Sequence, residues 1–171
     1  EVLNGYRVKE RLPDNIGDIT IPLGIPEVIR EGKDVTVVTY GACCRVVMDA
    51  ASKLSKAGIE IEIVDVQSLL PFDINHMIVE SLKKTNRIIF MDEDVPGGAS
   101  AYMMQEVLEK QKGYFHLDSE PRTLTASAHR GPYGSDGDYF SKPNADAAYE
   151  MIYTLMHEVE PNRFPKQYFM R

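Results

Sequence analysis

The sequence predicts a three-layer α/β/α sandwich of about four parallel strands and one edge strand, with helices on both faces. Three observations predict it. From Asp34 to Asp73 the chain reads as strand, helix and strand, and two parallel strands joined through a helix need a right-handed crossover of this kind. Both strand runs are apolar with little alternation, as a strand covered on both faces requires. The alternation of β-branched runs with helical spacing then continues almost to the C-terminus.

Taken in order, residues 1–20 read as a connector arriving from upstream sequence, because Pro13, Asp14, Asn15, Gly17 and Asp18 break every long helix. Val28 and Ile29 form a short edge strand before the Glu31-Gly32-Lys33 turn. Val35, Val37, Val38 and Thr39 make the first central strand, ended by Gly41. Cys44, Val47, Ala51 and Leu54 then fall on one helical stripe, flanked by Met48 and Ala50. Gly58 supplies the left-handed residue that ends this helix. Ile59, Ile61, Ile63, Val64 and Val66 form the next strand.

Asp73 is placed as the N-cap of a second helix whose stripe is Ile74, Ile78 and Leu82, ending at Lys83-Lys84, where cations favour a helix C-terminus. Arg87–Met91 is a third parallel strand. Asp92-Glu93-Asp94 and Pro96-Gly97-Gly98 follow, then a helix carrying Met104, Val107 and Leu108. Thr123–Ala126 is the last strand, Ser127–Lys142 a polar loop, and Pro143-Asn144 opens a final helix with Ala148, Ile152, Leu155, Met156 and Val159 on one side. The domain is therefore expected over residues 21–160, with an aromatic and basic tail over 161–171.

A chain of 171 residues suits one domain, and 43% hydrophobic with 26% charged residues describes an ordinary globular protein. A net charge of −7 leaves no excess of cations to displace counterions from phosphates, which argues against nucleic acid as a partner. No apolar run approaches the ~20 residues of a membrane span. Cys43 and Cys44 are the only cysteines and are adjacent, so neither a disulfide framework nor a metal site is expected, and a cytoplasmic setting is favoured. They read as small apolar helix residues; the alternative is a thiol activated by the helix N-terminus. The chain opens on Glu1 rather than methionine, which suggests a piece of something longer.

The strand ends deliver Thr39-Tyr40-Gly41, Gln67-Ser68, Asp92-Glu93-Asp94 and Ser127 onward to one edge of the sheet, the expected place for ligands. Gly97-Gly98 reads first as a tight turn and second as an anion cradle, since no phosphate-binding fingerprint accompanies it. Three consecutive acids do not converge on one cation without unusual backbone, so Asp92-Glu93-Asp94 reads as an acidic loop with Glu93 turned inward onto a helix N-terminus. Ser135-Asp136-Gly137-Asp138 reads as a turn. His76, His116, His129 and His157 lack metal-ligand spacing, and His129-Arg130 is the best candidate for an anionic contact. No nucleophile, base and oxyanion donor assemble, so no catalytic, cofactor-binding or metal-binding residue is assigned.

Several stretches together resemble the C-terminal domain of transketolase-like enzymes: Ile21–Gly24, Arg30–Gly41, Ala57–Asp65, Leu69–Asp73 and Lys84–Arg87. They are most similar to the beta chain of thiamine diphosphate-dependent 2-oxo acid dehydrogenases of pyruvate or branched-chain type, and the likeness runs from Ile21 to Val159. The resemblance implies a five-stranded mixed sheet, mostly parallel with one antiparallel edge strand. It also implies a third domain that supports a dimer and the active-site entrance, while upstream catalytic domains hold thiamine diphosphate and magnesium. Partners implied are those domains, a second copy, and the dihydrolipoyl acyltransferase core. Read instead as an assembly module, the chain would dock a second copy or the acyltransferase through its sheet edge, terminal helix and aromatic tail. The family usually carries arginine where this chain has Gln67, and His-Glu where it has Asp92-Glu93. The loop His129–Lys142 and the tail resemble forms in which alpha-like and beta-like halves are fused. Transketolase, deoxyxylulose phosphate synthase and a non-catalytic α/β assembly or ligand-binding module are the other readings. The piece alone is expected to be inactive and to bind no cofactor.

Overall fold

The structure, a computed structural model, describes residues 12–134 and 136–169. The expected connector over residues 1–20 thus lies in part outside the described residues. Strands β1 (Glu27–Arg30), β2 (Val35–Thr39), β3 (Ile61–Asp65), β4 (Ile88–Met91) and β5 (Arg122–Leu124) form one sheet in the order β1-β3-β2-β4-β5. β2 is parallel to β3 and β4, β4 is parallel to β5, and β1 alone runs antiparallel, against β3. This is the mixed sheet that the resemblance implied.

Every residue of β2 is buried, so its two faces need cover from both sides. Val35 and Val37 join the layer of α1 (Ala42–Lys56) and α5 (Ala145–Val159). Val38 joins the opposite layer, with α2 (Met77–Thr85) and α3 (Ala99–Met104). Thr36 shares that second face. Its hydroxyl is satisfied there by Ser81 Oγ and Thr85 Oγ1 of α2, each at 2.7 Å, which is how a polar side chain survives at the centre of a buried strand.

Helix α1 buries Cys43, Val47, Ala50, Ala51 and Leu54. The stripe thus passes through Cys43 and not through Cys44, which is half-buried. Gly58 ends it with φ of +80°. Ile59 N donates to Leu54 O and Gly58 N to Ser55 O, both at 3.0 Å, so two of the last carbonyls are capped by the turn itself.

Helix α2 begins at Met77, three residues later than its sequence signals suggested. Asp73 still caps it: its carboxylate accepts from Met77 N at 2.8 Å and Ile78 N at 3.1 Å. Left-handed backbone at His76 (φ +56°) resets the start, and Ile74 is thrown outward instead of joining the stripe. Lys84 at the other end does more than complement the helix dipole. Its ammonium reaches Glu31 at 3.0 Å and the buried carboxylate of Glu62.

After α3 the helix widens into a π-helical stretch, Gln105–Lys110, with Met103 and Val107 as the buried residues. β5 is shorter and one residue earlier than expected, since Ala126 N turns to Asp94 O at 2.9 Å. The polar loop after it contains a short helix, α4 (Gly137–Ser141), opened by Asp136 where a turn was expected. Asn144 caps α5, its Oδ1 accepting from Asp146 N at 3.1 Å and Ala147 N at 2.9 Å. Beyond α5 the chain folds back along the helix. Phe164 enters the core, His157 Nδ1 lies 2.8 Å from Phe164 O, and Tyr153 Oη donates to Pro165 O at 3.0 Å.

Candidate functional site at the carboxyl edge

From β2 the chain crosses to β3 on one side, and from β4 it crosses to β5 on the other. The carboxyl ends of the neighbours β2 and β4 therefore diverge, which in an open α/β sheet creates the crevice where ligands sit. Thr39 Oγ1 donates to Met91 O across this point at 2.9 Å. Tyr40 Oη donates to Asp92 Oδ1 at 2.8 Å, Asp94 N donates to the same oxygen at 3.1 Å, and Ser100 N donates to Asp92 Oδ2 at 3.2 Å.

Asp92 is only 1% exposed. It is Asp92, not Glu93, that turns inward onto the helix start; Glu93 is exposed and faces Lys142 Nζ at 3.7 Å. The physical reason is that Asp92 follows β4 directly and its short side chain reaches the first turn of α3. Asp94 turns a third way, its Oδ1 accepting from Val95 N at 2.7 Å. The three carboxylates diverge, so they do not form one cation site.

The Gly97-Gly98 turn lies beside this acid group. Gly98 N donates to Val95 O at 3.1 Å, and a Cβ at Gly98 would lie 2.9 Å from Asp94 Oδ2. The amide that an anion would need, Ser100 N, already holds Asp92. Two carboxylates stand where a diphosphate would need cations or free N–H groups, so this edge does not fit thiamine diphosphate.

Burial raises the Tyr40 hydroxyl well above its ordinary range, and the hydrogen bond to the Asp92 carboxylate adds to it, because ionisation would set two anions side by side. The thiols behave alike. Burial, helped by the charge of Glu93, pushes Cys43 to about 11, and burial, helped by Asp65, pushes Cys44 to about 12. The helix start does not activate either one. Both should therefore react slowly with a chromogenic disulfide at neutral pH, and fast labelling of the folded chain would contradict this. Because the folded-state values lie above the unfolded ones, this contribution to stability is complete below the unfolded thiol pKa. It is lost as pH rises from about 9 through the folded values.

The remaining sequence candidates are occupied locally. His129 Nδ1 lies 2.9 Å from Arg130 O, and the Arg130 guanidinium sits 4.7 Å over the Tyr133 ring. Gln67 Nε2 donates to Glu27 Oε2 at 2.9 Å. The loop holding His129 is fastened at both ends beside β4, by Ser127 N to Ser141 O at 2.8 Å and by the Glu93–Lys142 pair. The Tyr40–Asp92 pair was not foreseen; a tyrosine and an acid closing adjacent strands was the available signal.

The sequence matches the family described as transketolase, C-terminal domain, over residues 24–141. It is 39% identical over 121 residues to the beta subunit of acetoin:2,6-dichlorophenolindophenol oxidoreductase of Bacillus subtilis (strain 168), covering 71% of this chain and 34% of that one. It is 38% identical over 122 residues to 2-oxoisovalerate dehydrogenase subunit beta of the same organism, covering 70% and 36%. With pyruvate dehydrogenase E1 component subunit beta of Mesostigma viride it shares 32% identity over 128 residues, covering 75% and 38%. Among solved structures, a split-gene transketolase described as an inactive beta4 tetramer superposes with a TM-score of 0.69 at 25% identity, covering 81% of this chain and 44% of that one. The chain spans about a third of the length of these curated relatives.

Proposed function

The chain belongs to the transketolase C-terminal domain family, and from that premise we propose that it is the scaffolding domain of a thiamine diphosphate-dependent 2-oxo acid dehydrogenase. The observation that carries the reading is Asp92. The chain spends its own buried carboxylate on the donors that a cofactor phosphate would use, so the phosphates and magnesium belong to upstream catalytic domains. Thiamine diphosphate, when bound there, supplies the electron sink for decarboxylation. This domain holds its crevice rigid through the Thr39–Met91 and Tyr40–Asp92 bonds, and so keeps the entrance to that centre in shape. The substrate is a branched-chain 2-oxo acid or pyruvate, and the acyl group passes to a lipoyl arm. Partners are a second copy and the dihydrolipoyl acyltransferase core, and the setting is cytoplasmic. Support for self-assembly comes from the split-gene transketolase, whose beta subunit is described as an inactive tetramer. No helix among the described residues is long and apolar enough to cross a membrane.

Calorimetric titration of the chain with thiamine diphosphate and Mg²⁺ should give no micromolar binding, and micromolar binding would overturn the reading. A chimera in which this chain replaces the matching third of the Bacillus subtilis 2-oxoisovalerate dehydrogenase beta subunit should keep turnover. A folded but inactive chimera counts against the scaffold role. The acetoin oxidoreductase relative, at 39% identity, favours acetoin as a second substrate reading, tested by the same exchange in that enzyme.

A further inference from the structure

Arg30 pairs with Glu60, Arg87 with Asp118, Arg122 with Glu158 and Arg163 with Glu160. Among the described residues no carboxylate reaches Arg130, although acids outnumber lysines and arginines 26 to 19. Its guanidinium lies 4.7 Å over the Tyr133 ring and donates to Tyr133 Oη. That bond uses one N–H, and stacking on a ring face leaves the edge of the planar fork open. The loop that carries Arg130 is pinned. Ser127 N donates to Ser141 O and His129 N to Ser127 O, both at 2.8 Å, and Lys142 N donates to Asp138 O at 2.8 Å. Gly137 packs so closely on Pro132 O that no Cβ fits there.

Two further donors in this loop are unused. Ser141 is 9% exposed, and its hydroxyl has no partner among the described residues. Gly131 lies over it, since a Cβ there would come within 3.4 Å of Ser141 Oγ. Among the described residues the Gly131 amide is also without an acceptor. We propose that Arg130, Gly131 and Ser141 form a carboxylate site at the rim of the crevice, and that its ligand is the carboxylate of the incoming 2-oxo acid. The guanidinium fork matches a planar carboxylate, and the amide and hydroxyl beside it add donors that the chain leaves free. His129 is not counted, because its Nδ1 faces Arg130 O, which leaves an acceptor at Nε2 in the neutral ring. Asp92, Glu93 and Asp94 stand at the same edge, and Lys142 at the end of the loop faces Glu93. A singly charged acid meets about half the repulsion there that a doubly charged phosphate would. The site rests on the scaffold reading for the identity of its ligand.

Titration of the ¹⁵N-labelled chain with sodium pyruvate tests it, following Arg130 Nε and Gly131 N by NMR against sodium chloride at equal ionic strength. Both signals should move and saturate with a dissociation constant on the order of 1–10 mM. Arg130→Gln should weaken binding by about tenfold or more, with Arg130→Lys between, because an ammonium keeps the charge without the fork. Gly131→Ala, which covers Ser141 Oγ, should weaken it by about threefold or more. Both positions are exposed, so the melting temperature should hold. Shifts that chloride reproduces, tighter binding of inorganic phosphate, or binding indifferent to Arg130→Gln would overturn the proposal. So would a glutamate-rich peptide binding tenfold tighter than pyruvate, which would give the site to a protein carboxylate. In the chimera, Arg130→Gln should raise KM for the 2-oxo acid more than it lowers kcat. A chimera inactive from the start counts against the scaffold role alone, and the titration of the chain still decides the site.

Discussion

Replacing Phe164 by alanine is expected to destabilise the fold by about 3–5 kcal/mol, the cost of deleting a fully buried aromatic side chain and leaving a cavity. Phe164 is 2% exposed and belongs to the same core as Val47, Leu54 and Ile152, although it lies beyond the last helix. Its ring meets Tyr153 edge to face with centroids 6.2 Å apart. Tyr153 in turn stacks on Tyr149 at 5.8 Å, and Phe169 closes the group against both. Such pairs contribute about 0.5–1.5 kcal/mol each beyond their burial. Urea unfolding measures the loss, and the melting temperature should fall by roughly 10 °C for a chain of this size. Tyr168→Ala, at an exposed ring, should stay within about 0.5 kcal/mol. If the two variants behave alike, the segment after α5 only lies on the surface, and the packing described for it is wrong.

That packing also marks where the sequence was legible. The unit from β2 through α1 to β3 could be read because each element is fixed by local chemistry. β-Branched residues are buried on both faces, one apolar stripe marks the helix, and a glycine stands where the chain turns left-handed. The stripe was misplaced at its first turn because Cys43 and Cys44 are the same residue type one position apart, and composition cannot tell which of them faces the sheet. The start of α2 was misplaced because Asp73 caps from four residues before the helix, through a left-handed His76; histidine tolerates that backbone better than most residues, but the apolar spacing gives no sign of where it is used. The aromatic residues of the tail suggest a docking surface, but Tyr149 and Tyr153 lie four apart on α5 and offer the ledge that Phe164 and Phe169 cover, so of the tail's aromatic rings only Tyr168 stands exposed. The π-helical stretch and α4 left no periodic trace. At the crevice the acids were found, but which one turns inward depends on how β4 ends, and that is a tertiary fact.

Asp92→Asn should therefore cost about 2 kcal/mol, and Asp92→Ala about 3 kcal/mol, although asparagine keeps the shape. The reason is the polarity of the partners. Tyr40 Oη, Asp94 N and Ser100 N all approach as donors, and a carboxylate offers both of its oxygens to them. An amide offers one oxygen. Its NH₂ must then face either Ser100 N–H or the pair from Tyr40 and Asp94, which strands a buried donor whichever way it flips. Glu93→Gln, which only weakens an exposed pair, should change stability by less than about 0.5 kcal/mol. A cycle with Tyr40→Phe isolates the bond between strands, with a coupling of about 1 kcal/mol or more expected. Spectrophotometric titration reads the same bond from the other side. The most alkaline tyrosine should ionise at lower pH in Asp92→Asn, because the carboxylate that opposed a second anion is gone. If Glu93→Gln proves the more damaging change, or if no tyrosine moves when Asp92 is neutralised, then Asp92 is not what ties β2 to β4. The rigid crevice on which the scaffold role depends would then lose its anchor.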